Sequence, residues 1–143
     1  MRNYDEIFSE SLKRIVTTTG YGLERFVDSF YERFLLSSSE VEDKFRGTDF
    51  EVQGRMLAES LLQMKVVVCE LKANDRLEEL AEFHSKRKLD IPPRLYDLWL
   101  ECLIATARET DPEFTQNVEL AWRMVMGSGI IFMKFRYEHP RLA

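Results

Sequence analysis

Cysteine is scarce in this chain: Cys69 and Cys102 are the two among 143 residues, and both fall in segments with helical spacing. Two isolated thiols cannot build a disulfide framework, and they predict a reducing, cytoplasmic setting. No apolar run comes near the roughly 20 residues that a membrane-spanning helix needs, so no membrane insertion is expected. The first ten residues carry Asp5, Glu6 and Glu10 and no apolar stretch, so no secretory leader is expected there. A basic excess is missing too. Twenty Lys and Arg stand against 25 Asp and Glu, a net charge of −5, which argues against nucleic-acid binding. Histidine is scarce as well, with His84 and His139 alone.

What the chain does have is core-forming material. Hydrophobic residues make up 45% of it and ten are Phe. A chain of this size buries about 68–70% of its unfolded surface, enough for a core with room for a flat apolar cofactor. Residues 1–143 read as one domain, with no internal repeat, low-complexity tract or linker. Helical periodicity dominates and almost nothing alternates like a strand, so the expected class is all-α. Helices are predicted over about 4–18, 21–37, a short turn ending near Phe45, 50–72, 76–85, 93–109 and 112–137. Gly20 and Gly22 separate the first two, and Ser37, Ser38 and Ser39 offer caps for the third. Thr48 or Asp49 can cap the long fourth helix. Asn74 and Asp75 end it, and residues 85–91 read as a loop. Pro92 and Pro93 suit a helix opening. Asp111, Pro112 and Glu113 read as the start of the last helix. Gly127 and Gly129 weaken that helix by about 1 kcal/mol each, tolerable where another helix or a cofactor approaches closely.

The polar residues that head apolar stripes carry the chemistry. His139 lies beside Pro140 and is expected to be solvated. His84 shares a helical face with Leu77, Leu80 and Ala81, so its imidazole points inward, either as a hydrogen-bonded core residue or as a ligand. Gln53 leads Leu57, Leu61, Met64 and Val68 on one face, and a buried amide without a partner costs about 1–3 kcal/mol. Tyr31 shares a face with Val27, Phe34 and Leu35. Singly, each fits a residue at the edge of a core. Together they form a constellation suited to haem. Its iron takes a nitrogen ligand on one side. The other side suits hydrogen-bond donors in an apolar cavity, because dioxygen held there carries partial negative charge. The propionates take cations at the rim, where Lys86, Arg87 and Lys88 are available.

From about residue 4 to 138 the order of these residues resembles a globin, in particular the bacterial single-domain haemoglobins. In Phe30-Tyr31-Glu32-Arg33-Phe34-Leu35, Tyr31 matches the distal tyrosine of the B helix. Phe45, ending Val-Glu-Asp-Lys-Phe, matches the phenylalanine that packs on the haem after the C helix. Thr48 to Gln53 leads into the E helix, with Gln53 at the distal polar position and Leu57 a turn later. His84 matches the proximal histidine of the F helix. Tyr96 to Leu100 resembles the opening of the G helix, and Ala121 to Met133 the H helix. The Gln53 register rests on a two-residue length difference in the turn before the E helix; in a slipped register Met56 or Ser60 would face the iron instead. Glutamine stands where animal globins carry a distal histidine. The acidic partner that positions the proximal imidazole in some bacterial relatives has no clear counterpart. Tyr137 lies near its place, and Tyr96 is an alternative.

The resemblance implies a three-over-three helical sandwich around haem b, held between the E and F helices with His84 on the iron. Tyr31, Phe45, Gln53, Leu57, Lys88, Ile91, Tyr96 and Trp99 are the other expected cofactor-binding residues. Val27, Phe34 and Leu61 complete the expected distal wall, and Leu80 and Leu95 the proximal one. The function it implies is reversible binding of dioxygen, and of NO and CO, with high oxygen affinity from two distal donors. Two alternatives stand beside it. One is nitric oxide dioxygenation with a separate reductase, since related flavohaemoglobins carry the same Tyr and Gln pair and a fused reductase for which this chain has no room. The other is gas sensing through a partner protein. The G and H helices carry apolar surface enough for a monomer core or a homodimer contact.

Overall fold

Apolar residues recurring every three or four positions become seven helices among the described residues, with no strand. They are α1 (Tyr4–Thr19), α2 (Glu24–Ser37), α3 (Ser39–Lys44), α4 (Phe50–Glu70), α5 (Asp75–His84), α6 (Arg94–Thr110) and α7 (Gln116–Glu138). The computed structural model describes residues 3–19, 23–70, 75–85 and 88–139, without the side chains of 18–19, 62–70 and 75–77. The expectations for Gly20, Gly22, Met64, Val68, Cys69, Leu77, Lys86 and Arg87 therefore lie outside the described residues.

Local chemistry sets the boundaries. Ser38 opens α3, its hydroxyl accepting from the Glu40 amide at 3.1 Å. Asp49 opens α4, its carboxylate accepting from the Glu51 amide at 3.0 Å. The carbonyls of Pro92 and Pro93 take the Leu95 and Tyr96 amides at 2.9 and 3.1 Å and start α6. The start of α7 differs from expectation. Thr115, not Asp111, is its cap, with Oγ1 accepting from the Val118 amide at 3.3 Å. Asp111 instead closes α6, its backbone N–H donating to the Ala107 carbonyl, and its carboxylate is shared between the Glu113 amide and two residues of α1. Ser11 donates to it at 2.6 Å and Arg14 at 2.7 and 2.8 Å.

Helices α1, α4 and α5 form one layer and α2, α6 and α7 the other, with α7 touching α1, α4, α5 and α6. Phe8, Phe26, Phe30, Leu103, Trp122, Val125 and Met126 fill the space between them. The Phe8 and Trp122 rings meet edge to face at 4.8 Å. Trp122 Nε1 donates to Ser11 Oγ at 2.9 Å, extending the Asp111 network into the core. Where α2 crosses α4, a Cβ on Gly54 would stand 2.8 Å from Val27 Cγ1. That close approach carries the neighbouring Gln53 up to Tyr31.

Candidate functional site

Between the layers lies a cavity of about 330 Å³. Its walls come from α2, α3, α4, α5, α6, α7 and the turn after α3, and they are mostly apolar, as cofactor sites are. Of the expected residues, Tyr31, Phe45, Gln53, Leu57, His84, Ile91, Tyr96 and Trp99 all line it, together with Phe34, Leu80 and Leu95. Val27 and Leu61 do not; they are buried in the core, Val27 against Gly54. Lys88 is exposed on the loop after α5 and does not line the cavity. Met56 and Ser60 line it beside Gln53, so one face of α4 presents all three.

His84 ends α5 on the cavity wall. Its Nδ1 lies 2.8 Å from the Leu80 carbonyl oxygen. A carbonyl only accepts, so Nδ1 carries the proton and Nε2 keeps its lone pair. Burial lowers the imidazole pKa and outweighs the opposing effect of the Leu80 bond, which keeps the ring neutral at neutral pH. A neutral, oriented imidazole with a free nitrogen is the form that binds a metal. The Tyr96 ring lies 6.5 Å from the His84 ring, centre to centre, so Leu80 rather than Tyr96 makes the orienting bond. Tyr137 donates to Asp90 on the loop between α5 and α6.

Across the cavity, Tyr31 is 6% exposed. The rings of Phe30, Phe45 and Phe50 meet it edge-on at 4.9, 5.7 and 5.5 Å and fix its plane. Gln53 Nε2 donates to the Tyr31 hydroxyl oxygen at 3.2 Å. Burial pushes the Tyr31 pKa up to about 12 against the opposing pull of Gln53, so the hydroxyl keeps its proton. That proton is a donor turned away from Gln53.

Among the described residues, the cation that lines the cavity at its rim is Lys44, at the end of α3. Its Nζ donates to the Leu89 carbonyl at 3.3 Å, which ties α3 to the loop after α5. Lys44 carries no signal of its own in the sequence, being one charged residue on a six-residue helix. Ile130 and Met133 reach the cavity from α7, within the stretch that resembles the H helix. A neutral imidazole nitrogen, apolar walls, a buried donor opposite and a cation at the rim together match the chemistry of haem.

A globin family model matches residues 28–131, and the chain belongs to the globin family. A protein of Pseudomonas aeruginosa PAO1, described as structurally highly homologous to a human hemoglobin, superposes with a TM-score of 0.85 at 34% identity. The alignment covers 94% of this chain and 98% of that one. A comparison with functionally curated proteins gives no match. Family and fold make this an all-α, haem-binding globin of the bacterial haemoglobin kind. Among the described residues, no helix is long and apolar enough to cross a membrane.

Proposed function

We propose that the chain, folded as a single globin domain, reversibly binds a diatomic gas, chiefly dioxygen, at haem b held by His84 Nε2. Haem, when bound, supplies a ferrous iron that takes such a ligand. The residues on both sides of the cavity support this reading. His84 offers a neutral, oriented nitrogen and is held so by Leu80. Leu57, Phe45 and Trp99 give the cavity apolar walls. Lys44 stands at the rim, where a propionate would take a cation.

The observation that carries the reading is the Gln53–Tyr31 hydrogen bond at 3.2 Å. Because Gln53 donates to the hydroxyl oxygen, Tyr31 has its own proton left to give to a ligand in the cavity. In an apolar site such a donor is stronger than in water, and it favours a ligand that gains negative charge. High oxygen affinity and slow release are the expected result.

The test is a visible spectrum of the protein in the ferric state, after reduction, and after exposure to oxygen and to carbon monoxide. A strong Soret band that shifts reversibly with each gas, and is absent from a His84→Gly variant, is the expected outcome. A folded protein that stays colourless after incubation with haemin would overturn the proposal.

A further inference from the structure

Among the methionines whose side chains are described, Met56 alone both lines the cavity and reaches solvent. It stands on α4 between Gln53 and Ser60 on the cavity wall and is 42% exposed. Met133 also lines the cavity but is 5% exposed, and Met126 is fully buried. Met124 is 49% exposed on α7 and does not line the cavity. A thioether placed like that of Met56 is open to small oxidants from outside and faces the ligand side within.

Hydrogen peroxide converts such a thioether to the sulfoxide. Sulfur gives an electron pair to one peroxide oxygen and is oxidised; the S–O bond forms as the O–O bond breaks. The second oxygen leaves as water with both protons. A flexible apolar side chain thereby acquires a strongly polar oxygen at the same place.

The neighbours decide what that oxygen would bind. Gln53 and Ser60 lie three and four residues from Met56, so both share its side of α4. Ser60 Oγ already donates to the Met56 carbonyl at 2.9 Å, which commits its proton. The Gln53 amide is the other donor that lines the cavity within one turn of Met56. Its bond to the Tyr31 hydroxyl is 3.2 Å, at the long end of the usual range. A sulfoxide oxygen is a stronger acceptor than a phenol oxygen. Gln53 then turns away from Tyr31, and the tyrosine loses the neighbour that keeps its proton free for a ligand. Given dioxygen binding opposite His84, we infer that Met56 is a redox modification site. Oxidation there by peroxide draws Gln53 off Tyr31 and loosens the hold on the gas. Methionine sulfoxide reductases, one for each sulfur epimer, make the change reversible.

The test treats the ferrous, haem-loaded protein with hydrogen peroxide under carbon monoxide, which occupies the iron. Peptide mass spectrometry should find sulfoxide at Met56 and at Met124, with Met126 and Met133 intact. Once dioxygen replaces carbon monoxide, its dissociation should be about three- to tenfold faster than in untreated protein. Incubation with the reductases should restore the original rate. Met124→Leu should keep this response, whereas Met56→Leu and Gln53→Leu should each dissociate oxygen equally fast before and after peroxide. A Met56 left intact beside an oxidised Met124 overturns the inference. So does Met56 sulfoxide with an unchanged dissociation rate, or a response that survives Gln53→Leu. A missing Soret band would overturn the dioxygen reading itself, and the peptide masses report on Met56 with or without haem.

Discussion

At Tyr31, burial and a single neighbour decide what a hydroxyl can do. The proton stays on because the pKa rises to about 12, and it faces away from Gln53 because Gln53 is itself a donor there. Tyr31→Phe keeps the ring among Phe30, Phe45 and Phe50 and removes that one proton. Oxygen dissociation, followed by stopped-flow displacement with carbon monoxide, should speed up by about 10–100-fold, the equivalent of a hydrogen bond of about 1.5–3 kcal/mol. An unchanged rate would remove Tyr31 from the distal role. Tyr31, Gln53 and His84 are legible in the sequence because each is a polar residue on an otherwise apolar helical face. Lys44 is not, since its place at the rim depends on how α3 meets the loop after α5, 45 residues away.

The crossing of α2 over α4 is set by what Gly54 lacks. Alanine there gains about 1 kcal/mol in helix propensity. It also brings a methyl group 2.8 Å from Val27 Cγ1, and valine is stiff about χ1. Overpacking costs about 1–3 kcal/mol, so the clash wins. Gly54→Ala should lower the melting temperature and speed haem loss to an acceptor globin, and Val27→Ala in the same chain should restore part of both. Additive losses in the double variant would show that the two residues do not share this contact. Helix boundaries were legible to within a few residues wherever a local cap decides, as at Ser38 and Asp49. The sequence signal for the start of α7 falls four residues early, at Asp111 where Thr115 is the cap. The signal at Asp111 was real, but the partners that claim it, Ser11 and Arg14, lie 100 and 97 residues away along the chain.

Across the whole molecule, the Asp111 network ties the first helix to the corner between the last two. Burial pushes the Asp111 carboxyl up, yet hydrogen bonds from Arg14, Ser11 and the Glu113 amide outweigh it and hold the pKa below its ordinary 3.8. Its contribution to stability is therefore complete above about that pH and is lost as pH falls through the lower folded-state value. Breaking a buried pair costs about 3–5 kcal/mol, and Arg14 keeps Glu113 at 3.7 Å, so Asp111→Asn belongs at the low end. Melting temperature should fall by about 10 °C at pH 7, with the gap to the unsubstituted protein narrowing in strong acid. A gap that stays constant would mean the network is not what titrates. Haemin should act in the opposite sense. At a thousandfold excess over its dissociation constant it adds about 4 kcal/mol, or roughly 13 °C. No rise in melting temperature with haemin would count against the cavity as its site.

The same network bears on how the protein is made. Ser11 leaves the ribosome roughly 5–20 s before Asp111 does, at ordinary rates of synthesis. Trp122, whose ring closes over Phe8, follows later still. Throughout that interval the Ser11 hydroxyl and the side of α1 that meets α7 wait for partners, while α2 and α4, which α1 also touches, are already made. The contact between α1 and α7, with the Phe8–Trp122 ring pair at its centre, can close only once the final helix has emerged.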